Sequence, residues 1–371
     1  MKRLLLAGGG TGGHLFPAMA VGEAWRLAFG DEADLLFVGT ADRIEARAVP
    51  AAGERFEAIE VSGIVGLRGW RKILGMMRLP LALFQAMGIV RRFRPDVVVG
   101  AGGFASGPTV LAAWILGVPT AILEQNAMPG VTNRILARLV RRVFTHFEEC
   151  ESWFAARKIR RFGNPVRAAQ LEALQGEATA QAGTRIRLLV MGGSQGSKAL
   201  NDHVPPALLA LDAAQRSGLE VVHQCGRQGD IEVIAKAYER SQVRAEVVEF
   251  MTDMAARYAW SDLCICRSGA MTVTEMAIAG KPAIFVPFPQ ATHDHQTHNA
   301  LELVHQSAAI LIPQNELNSS LGHTLVDLLE DRAILQTMGQ AARRVAKPEA
   351  ARKIVSELAD LTGVGSDITW A

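Results

Sequence analysis

The sequence predicts an α/β fold with two doubly wound domains, on three observations. Short apolar runs of strand length alternate with helical stretches. Glycine-rich turns close several of those runs. The opening Arg3-Leu4-Leu5-Leu6-Ala7-Gly8-Gly9 returns about half the chain later as Arg187-Leu188-Leu189-Val190-Met191-Gly192-Gly193. Two halves that each begin with a strand and a glycine turn would read this way. A length of 371 residues suits two ordinary domains. Hydrophobic residues make up 49% and aromatics only 6%, so the cores are built from Leu, Val, Ile and Ala, as parallel sheets flanked by helices require.

In the first half, Leu4–Ala7, Leu35–Val38, Val97–Val99 and Thr120–Leu123 read as buried strands, with helices starting near Pro17, Thr109 and Thr132. The second half continues from Arg187 with strands at Glu220–His223, Glu246–Glu249, Leu263–Cys266 and Ala283–Val286. Gln170–Gly183 is polar and Ala-rich, which suits a linker or an exposed helix. The expected domains are residues 1–163 and 164–347, and a last helix, about 348–371, that packs on either one.

Several classes are set aside. A formal net charge of +2 does not call for nucleic acid. The four cysteines form no CxxC pair and suggest neither zinc nor a disulfide framework, so a reducing cytoplasm is expected. The apolar run after Met1-Lys2-Arg3 is too short for a signal peptide and enters glycines. Val97–Leu123 carries no charge over a membrane-spanning length. Its five glycines and two prolines fit strand, turn, helix and strand better than a span.

The chemistry is expected at the turns. In Gly8-Gly9-Gly10-Thr11-Gly12-Gly13-His14, glycines let the backbone approach a ligand, and the following helix points N–H groups at it. The stretch also fits G-x-G-x-x-G through Gly8, Gly10 and Gly13, which keeps a nicotinamide or flavin oxidoreductase as a rival. Such an enzyme wants an acid closing its second strand for the ribose. Here that strand ends Val38-Gly39-Thr40, and Asp42 is the first acid. Further turns are Gly100–Pro108 and Gly192-Gly193-Ser194-Gln195-Gly196, the latter lacking Walker spacing. Arg267–Glu275 follows a strand and opens a helix, with Glu275 placed to accept both hydroxyls of a ribose or simply to sit near a helix start.

Taken in order, GGGTGGH, GGFASGP, EQN (Glu124–Asn126), GNPVR (Gly163–Arg167), GGSQG, RSGAMTVTE and DHQTHNA (Asp294–Ala300) resemble the MurG family. These transferases add N-acetylglucosamine to lipid I in peptidoglycan synthesis. The motifs span residues 8 to 300. The resemblance implies a GT-B fold, two Rossmann-like domains facing a deep cleft, with no cofactor and no metal. It implies UDP-N-acetylglucosamine as donor and lipid I as acceptor. It also implies a peripheral place on the cytoplasmic face of the bacterial inner membrane, with room for cell-wall or division complex proteins as partners.

Residue by residue, the resemblance assigns Ser194 and Arg167 to the diphosphate side. The backbone of Met251 would read the uracil edge, where a bulky aliphatic is usual and Met is a mild departure. Ala270, Met271, Thr272, Val273 and Thr274 would cradle phosphates and ribose, with Glu275 on the ribose. Gln296 and Asn126 would bind the sugar, and Thr11, Gly12 and Gly13 would close over the donor. The attacking C4 hydroxyl needs a base. His14 is the first candidate, because a helix N-terminus disfavours imidazolium. Glu124 is the second. His293, His295, His298 and His305 raise a metal site as a lesser alternative. A UDP-sugar epimerase on the same fold would share the donor site without needing a lipid acceptor.

Between Glu60 and Asp96 no acid occurs, yet Arg68, Arg71, Lys72, Arg78, Arg91, Arg92 and Arg94 lie there among Ile64, Leu67, Trp70, Leu74, Met77 and Phe84. Basic groups interleaved with apolar ones suit an anionic lipid surface, and the expected contact runs from Ile64 to Arg94. A single Trp offers little for nucleic-acid stacking.

Overall fold

The computed structural model describes all residues except 62–69, 177–184, 194, 366, 367, 369 and 371, and gives no side-chain account of 70–78. The chain forms two compact units, Met1–Ala168 with Lys347–Ala371, and Ala169–Ala346. The first division falls after Ala168 rather than after Gly163, because the GNPV segment is buried in the first unit. Asn164 there donates Nδ2–H to the Gln125 carbonyl at 3.1 Å, and a Cβ at Gly163 would lie 2.6 Å from the Lys347 side chain.

In the first unit the order is β1 (Lys2–Ala7), α1 (Gly12–Phe29), β2 (Ala33–Gly39), α2 (Glu45–Ala51), β3 (Phe56–Ala58), α3 (Trp70–Phe93), β4 (Val97–Gly100), α4 (Ser106–Ile115), β5 (Thr120–Glu124), α5 (Val131–Leu136), β6 (Arg142–Thr145) and β7 (Ile159–Arg160). Among the described residues they form one parallel sheet in the order β3-β2-β1-β4-β5-β6-β7. Alternation along β1 fills both faces. Leu4 and Leu6 join one core with Trp25, Val97 and Val99, while Leu5 and Ala7 join the other with Val98 and Ile122. Each large apolar side chain so buried contributes about 1.5–3 kcal/mol.

The second unit runs α6 (Ala168–Gln175), β8 (Ile186–Met191), α7 (Lys198–Ala207), α8 (Ala213–Ser217), β9 (Leu219–Gln224), α9 (Ile231–Arg240), β10 (Arg244–Val248), α10 (Met254–Trp260), β11 (Leu263–Cys266), α11 (Ala270–Ala279), β12 (Ala283–Phe285), α12 (His295–Val304), β13 (Ala309–Leu311), α13 (Leu317–Glu330) and α14 (Arg332–Val345). Among the described residues its sheet is also parallel, in the order β10-β9-β8-β11-β12-β13. The last helix, α15 (Ala350–Thr362), returns to the first unit, where Ile354, Val355 and Leu358 join the core around α1.

One helix start differs in a way that matters. The expectation placed the first helix near Pro17, but α1 begins at Gly12 and carries Pro17 inside. Proline there removes only one early hydrogen bond, to a carbonyl in the first turn. His14 is therefore the third helical residue rather than part of a preceding loop.

Candidate active site

Ligands of doubly wound sheets bind beyond the carboxyl ends of the strands, where the strand order reverses. In the first unit that point lies at β1 and β4, which are followed by Gly8–Gly13 and Gly100–Gly107. In the second it lies at β8 and β11, followed by Gly192–Gly196 and Arg267–Gly269. Each glycine motif read from the sequence thus flanks the reversal of its own sheet.

The two turns of the first unit pack backbone on backbone. A Cβ at Gly103 would lie 2.2 Å from the Gly9 carbonyl oxygen. At Gly102, where φ is +93°, a Cβ would lie 2.7 Å from His14 Nδ1, so the imidazole occupies the space a side chain would need. His14 is half-buried, and its Nδ1 lies 3.1 Å from Gln125 Oε1. Thr11 and Gly13 are exposed and Gly12 is half-buried.

Glu124 ends β5 and is only 3% exposed. Oε1 accepts from the Asn126 N–H, and Oε2 accepts from the Gly130 N–H and Asn133 Nδ2. Burial pushes its carboxyl above the ordinary range, while bonds from Asn133, Asn126 and Gly130 pull it down. It braces the turn from Asn126 to Gly130 at the start of α5. Asn126 is half-buried in that turn. Arg167 is exposed in the first unit, its guanidinium 5.9 Å from the centre of the Phe16 ring on α1.

In the second unit α11 starts directly after the Arg267-Ser268-Gly269 turn, so its N-terminal N–H groups face the strand ends. Ala270, Val273 and Thr274 are buried, and Met271 and Thr272 half-buried. Glu275 accepts from Gln170 Nε2 and from the Tyr258 hydroxyl, both at 2.8 Å. Burial raises its carboxyl above the usual range, opposed by those two bonds. Arg267 donates to the carbonyls of Val286 and Pro287 and to Gln314 Oε1, fixing the turn after β12 against the turn after β11. Gln296, on α12, accepts from the Phe288 N–H at 2.9 Å through its side-chain oxygen. His293 and Asp294, just before α12, hold consecutive left-handed backbones with φ of 54° and 52°, conformations that cost about 1–3 kcal/mol each and gather at functional sites. Met251, 5% exposed, follows β10. Ser194 lies outside the described residues.

Among the described residues no group of three His, Cys, Asp or Glu side chains is arranged for a metal. His295 Nδ1 instead lies 2.9 Å from the Thr292 carbonyl oxygen. A cavity of about 320 Å³ opens in the second unit near Ile186, Ser261, Lys281 and Arg343, at the amino ends of the strands. Lys281 there donates to the carbonyls of Ala259 and Ser261, so its ammonium holds the protein's own backbone.

The sequence matches the N-terminal domain of glycosyltransferase family 28 over residues 4–145 and its C-terminal domain over residues 187–357. The chain belongs to the MurG family. It is 44% identical over 357 residues, 96% of each chain, to a protein of Aeromonas hydrophila named UDP-N-acetylglucosamine–N-acetylmuramyl-(pentapeptide) pyrophosphoryl-undecaprenol N-acetylglucosamine transferase. A Myxococcus xanthus protein of the same name is 42% identical, covering 97% of this chain and 93% of that one. The crystal structure of Acinetobacter baumannii MurG superposes with a TM-score of 0.79 at 34% identity, covering 97% of this chain and all of that one. The fold is therefore GT-B, and the chain is a glycosyltransferase. A UDP-GlcNAc 2-epimerase from Neisseria meningitidis shares the fold at a TM-score of 0.68 and 14% identity.

Sequence reading of this MurG-family site gave no role to Gln125, Glu45, Tyr258, Gln170 or Arg267. Gln125 and Arg267 lie inside quoted motifs, so they were within reach. Tyr258 and Gln170 are brought to Glu275 only by the fold.

Proposed function

We propose that this chain transfers N-acetylglucosamine from UDP-N-acetylglucosamine to the C4 hydroxyl of lipid I, the undecaprenyl-diphosphate-linked N-acetylmuramyl pentapeptide. The product is lipid II. The observation that carries this reading is the likeness, along almost the whole chain, to relatives named for that reaction. An epimerase would share the donor site but would need neither a lipid acceptor nor the basic, apolar stretch between Glu60 and Asp96.

Attack from the face opposite UDP turns an α donor into a β product. The N–H groups at the start of α11 stabilise the leaving diphosphate. Ser194, Arg167 and the amides of Ala270–Thr274 hold phosphates and ribose, with Glu275 on the ribose. The Met251 backbone reads the uracil, and Gln296 holds the sugar. Asn126, Thr11, Gly12 and Gly13 contribute substrate contacts from the first unit. His14 takes the acceptor's proton. The half-exposed ring suits that role better than Glu124, whose buried oxygens are all engaged in bracing a turn.

No described helix is long and apolar enough to cross a membrane. A peripheral contact with the inner leaflet is proposed through α3. Leu79, Leu81 and Phe84 are exposed, Phe84 at 72%. Arg91 and Arg94 are exposed near the helix end, and Arg92 pairs with Glu57. Trp114 and Ile115 of α4 are exposed as well. The basic side chains of Arg68, Arg71, Lys72 and Arg78 fall outside the described residues.

The reading is tested by the anomeric configuration of the disaccharide made from UDP-N-acetylglucosamine and a short-chain lipid I analogue. A β linkage to C4 is expected. An α linkage would overturn the single-displacement account.

A further inference from the structure

We propose that Gln125 is a positioning residue that locks His14 in its Nδ1–H tautomer, so that Nε2 is the nitrogen that takes the acceptor's proton. The inference rests on the base role proposed for His14.

The geometry leaves little freedom. Gln125 is 1% exposed, and its Nε2 lies 3.0 Å from the Ala101 carbonyl oxygen. A carbonyl only accepts, so the amide nitrogen of Gln125, not its oxygen, must face it. That orientation turns Oε1 toward His14 Nδ1 at 3.1 Å. An amide oxygen also only accepts, so Nδ1 must carry the hydrogen. In a neutral imidazole the other nitrogen is then the basic one. The backbone of Gln125 is held in turn, its carbonyl accepting from Asn164 Nδ2. Gly102 keeps the ring against this partner, since any side chain there would collide with Nδ1.

A chain of acceptors thus runs from the backbone of the second glycine turn, through Gln125, to the ring on the first. In the transfer step the acceptor hydroxyl gives its proton to Nε2 and its oxygen bonds the anomeric carbon. The bond from that carbon to the diphosphate oxygen breaks, and its electron pair leaves with UDP. Gln125, being neutral, sets the tautomer without holding the ring as imidazolium, as a carboxylate would. Several titratable groups on adjoining segments have hydrogen-bond partners of their own. Glu45 is held by Gly10 and Thr40, Glu124 by Asn126, Gly130 and Asn133, and His146 Nδ1 accepts from the Asn164 N–H. Arg167, just before α6, lies over the Phe16 ring of α1.

The experiment combines nitrogen NMR of histidine-labelled full-length protein with turnover on UDP-N-acetylglucosamine and a soluble lipid I analogue. The His14 signals are those lost in His14→Ala. The wild type is expected to show a protonated Nδ1 and an unprotonated Nε2. Gln125→Leu should mix the tautomers and lower kcat roughly 10- to 100-fold, the range seen when partners fixing metal-bound histidines are removed, with both KM values nearly unchanged. Gln125→Glu keeps an acceptor toward Nδ1. It should recover part of that loss and move the acid limb of the kcat/KM profile to higher pH. A protonated Nε2 in the wild type, or a Gln125→Leu enzyme with unchanged tautomer and kcat, overturns the inference. Full turnover in His14→Ala would instead remove the base role, while the spectrum alone still decides the tautomer.

Discussion

The Glu45 carboxylate lies on the first glycine turn, with Oε2 accepting from the Gly10 N–H at 2.8 Å. Its Oε1 accepts from the Thr40 N–H and hydroxyl at 3.0 and 2.8 Å, and the residue is 1% exposed. Gly9 makes this approach possible: at φ +142°, a Cβ there would lie 2.2 Å from the carboxyl carbon. In a G-x-G-x-x-G turn the backbone amides receive a pyrophosphate. Here one of them already receives the protein's own anion, which is a second physical reason, beside the missing ribose acid, why the turn is not a dinucleotide site. Glu45→Ala leaves those donors buried without their acceptor and should destabilise the first unit by about 2–4 kcal/mol. A thermal melt should show its transition falling by roughly 5–15 °C, and an unchanged melt would deny Glu45 this role.

His223 sets a pH limit on the second unit. It is fully buried on β9, with Tyr238 Oη 2.8 Å from Nδ1 and Asn201 Oδ1 3.0 Å from Nε2. Burial lowers its pKa to about 3, against about 6.5 in an unfolded chain. The fold therefore favours the neutral ring, and this stability is fully present above about pH 6.5 and is lost as pH falls toward 3. Chemical denaturation of the wild type should weaken progressively below about pH 6.5, by several kcal/mol at the acid end. His223→Gln should be less stable at pH 7 but less sensitive to acid. Parallel pH curves for the two proteins would contradict this.

The terminal helix is a structural part of the first unit. Glu357 on α15 pairs with Arg142 and Arg160, and those bonds hold its carboxyl below the usual range against the effect of burial. That contribution is present above the ordinary carboxylate pKa and fades as pH falls below it. Leu358 beside it is fully buried. Leu358→Ala should cost about 2–4 kcal/mol, and Glu357→Ala about 1 kcal/mol or less because the pair is partly exposed. Proteolysis of the last helix is the direct readout, and equal resistance in both variants and wild type would show that α15 is not held by these contacts.

Membrane contact is tested with vesicles. Phe84→Asp together with Leu81→Asp should reduce sedimentation with anionic vesicles at least tenfold, as should charge reversal at Arg71, Lys72 and Arg78, since each basic group near such a surface contributes about 1 kcal/mol. Turnover on a short-chain, water-soluble acceptor should be unchanged. Unaltered sedimentation would return this face to ordinary surface.

Much of this is legible in the chain because parallel strands write themselves as apolar runs followed by glycine-bearing turns. Leu4–Ala7, Leu263–Cys266 and the restart at Arg187 show it, and their C-terminal turns mark the reversal points of both sheets. Short edge strands were not legible. Ile159–Arg160 is two residues long, and neither is fully buried, so it leaves no periodic trace. The start of α1 is not legible, because proline usually opens a helix, whereas here two glycines do. At the site, residue types were readable and pairings were not. Nothing in the sequence marks Glu45, whose carboxylate reaches back over 35 residues to the first glycine turn. The burial of Glu124 and the three hydrogen bonds its carboxylate accepts leave no trace in sequence, which offers it as a base candidate beside His14. Gln125, 111 residues from His14, meets it only because β1 and β5 lie on either side of β4 in one sheet.

The most direct measurement is UDP release from UDP-N-acetylglucosamine by the wild-type chain, with and without a lipid I analogue. Release that depends on the acceptor, matched mole for mole by disaccharide formation, is the predicted result. Release without acceptor that yields a sugar epimerised at C2 would contradict the account.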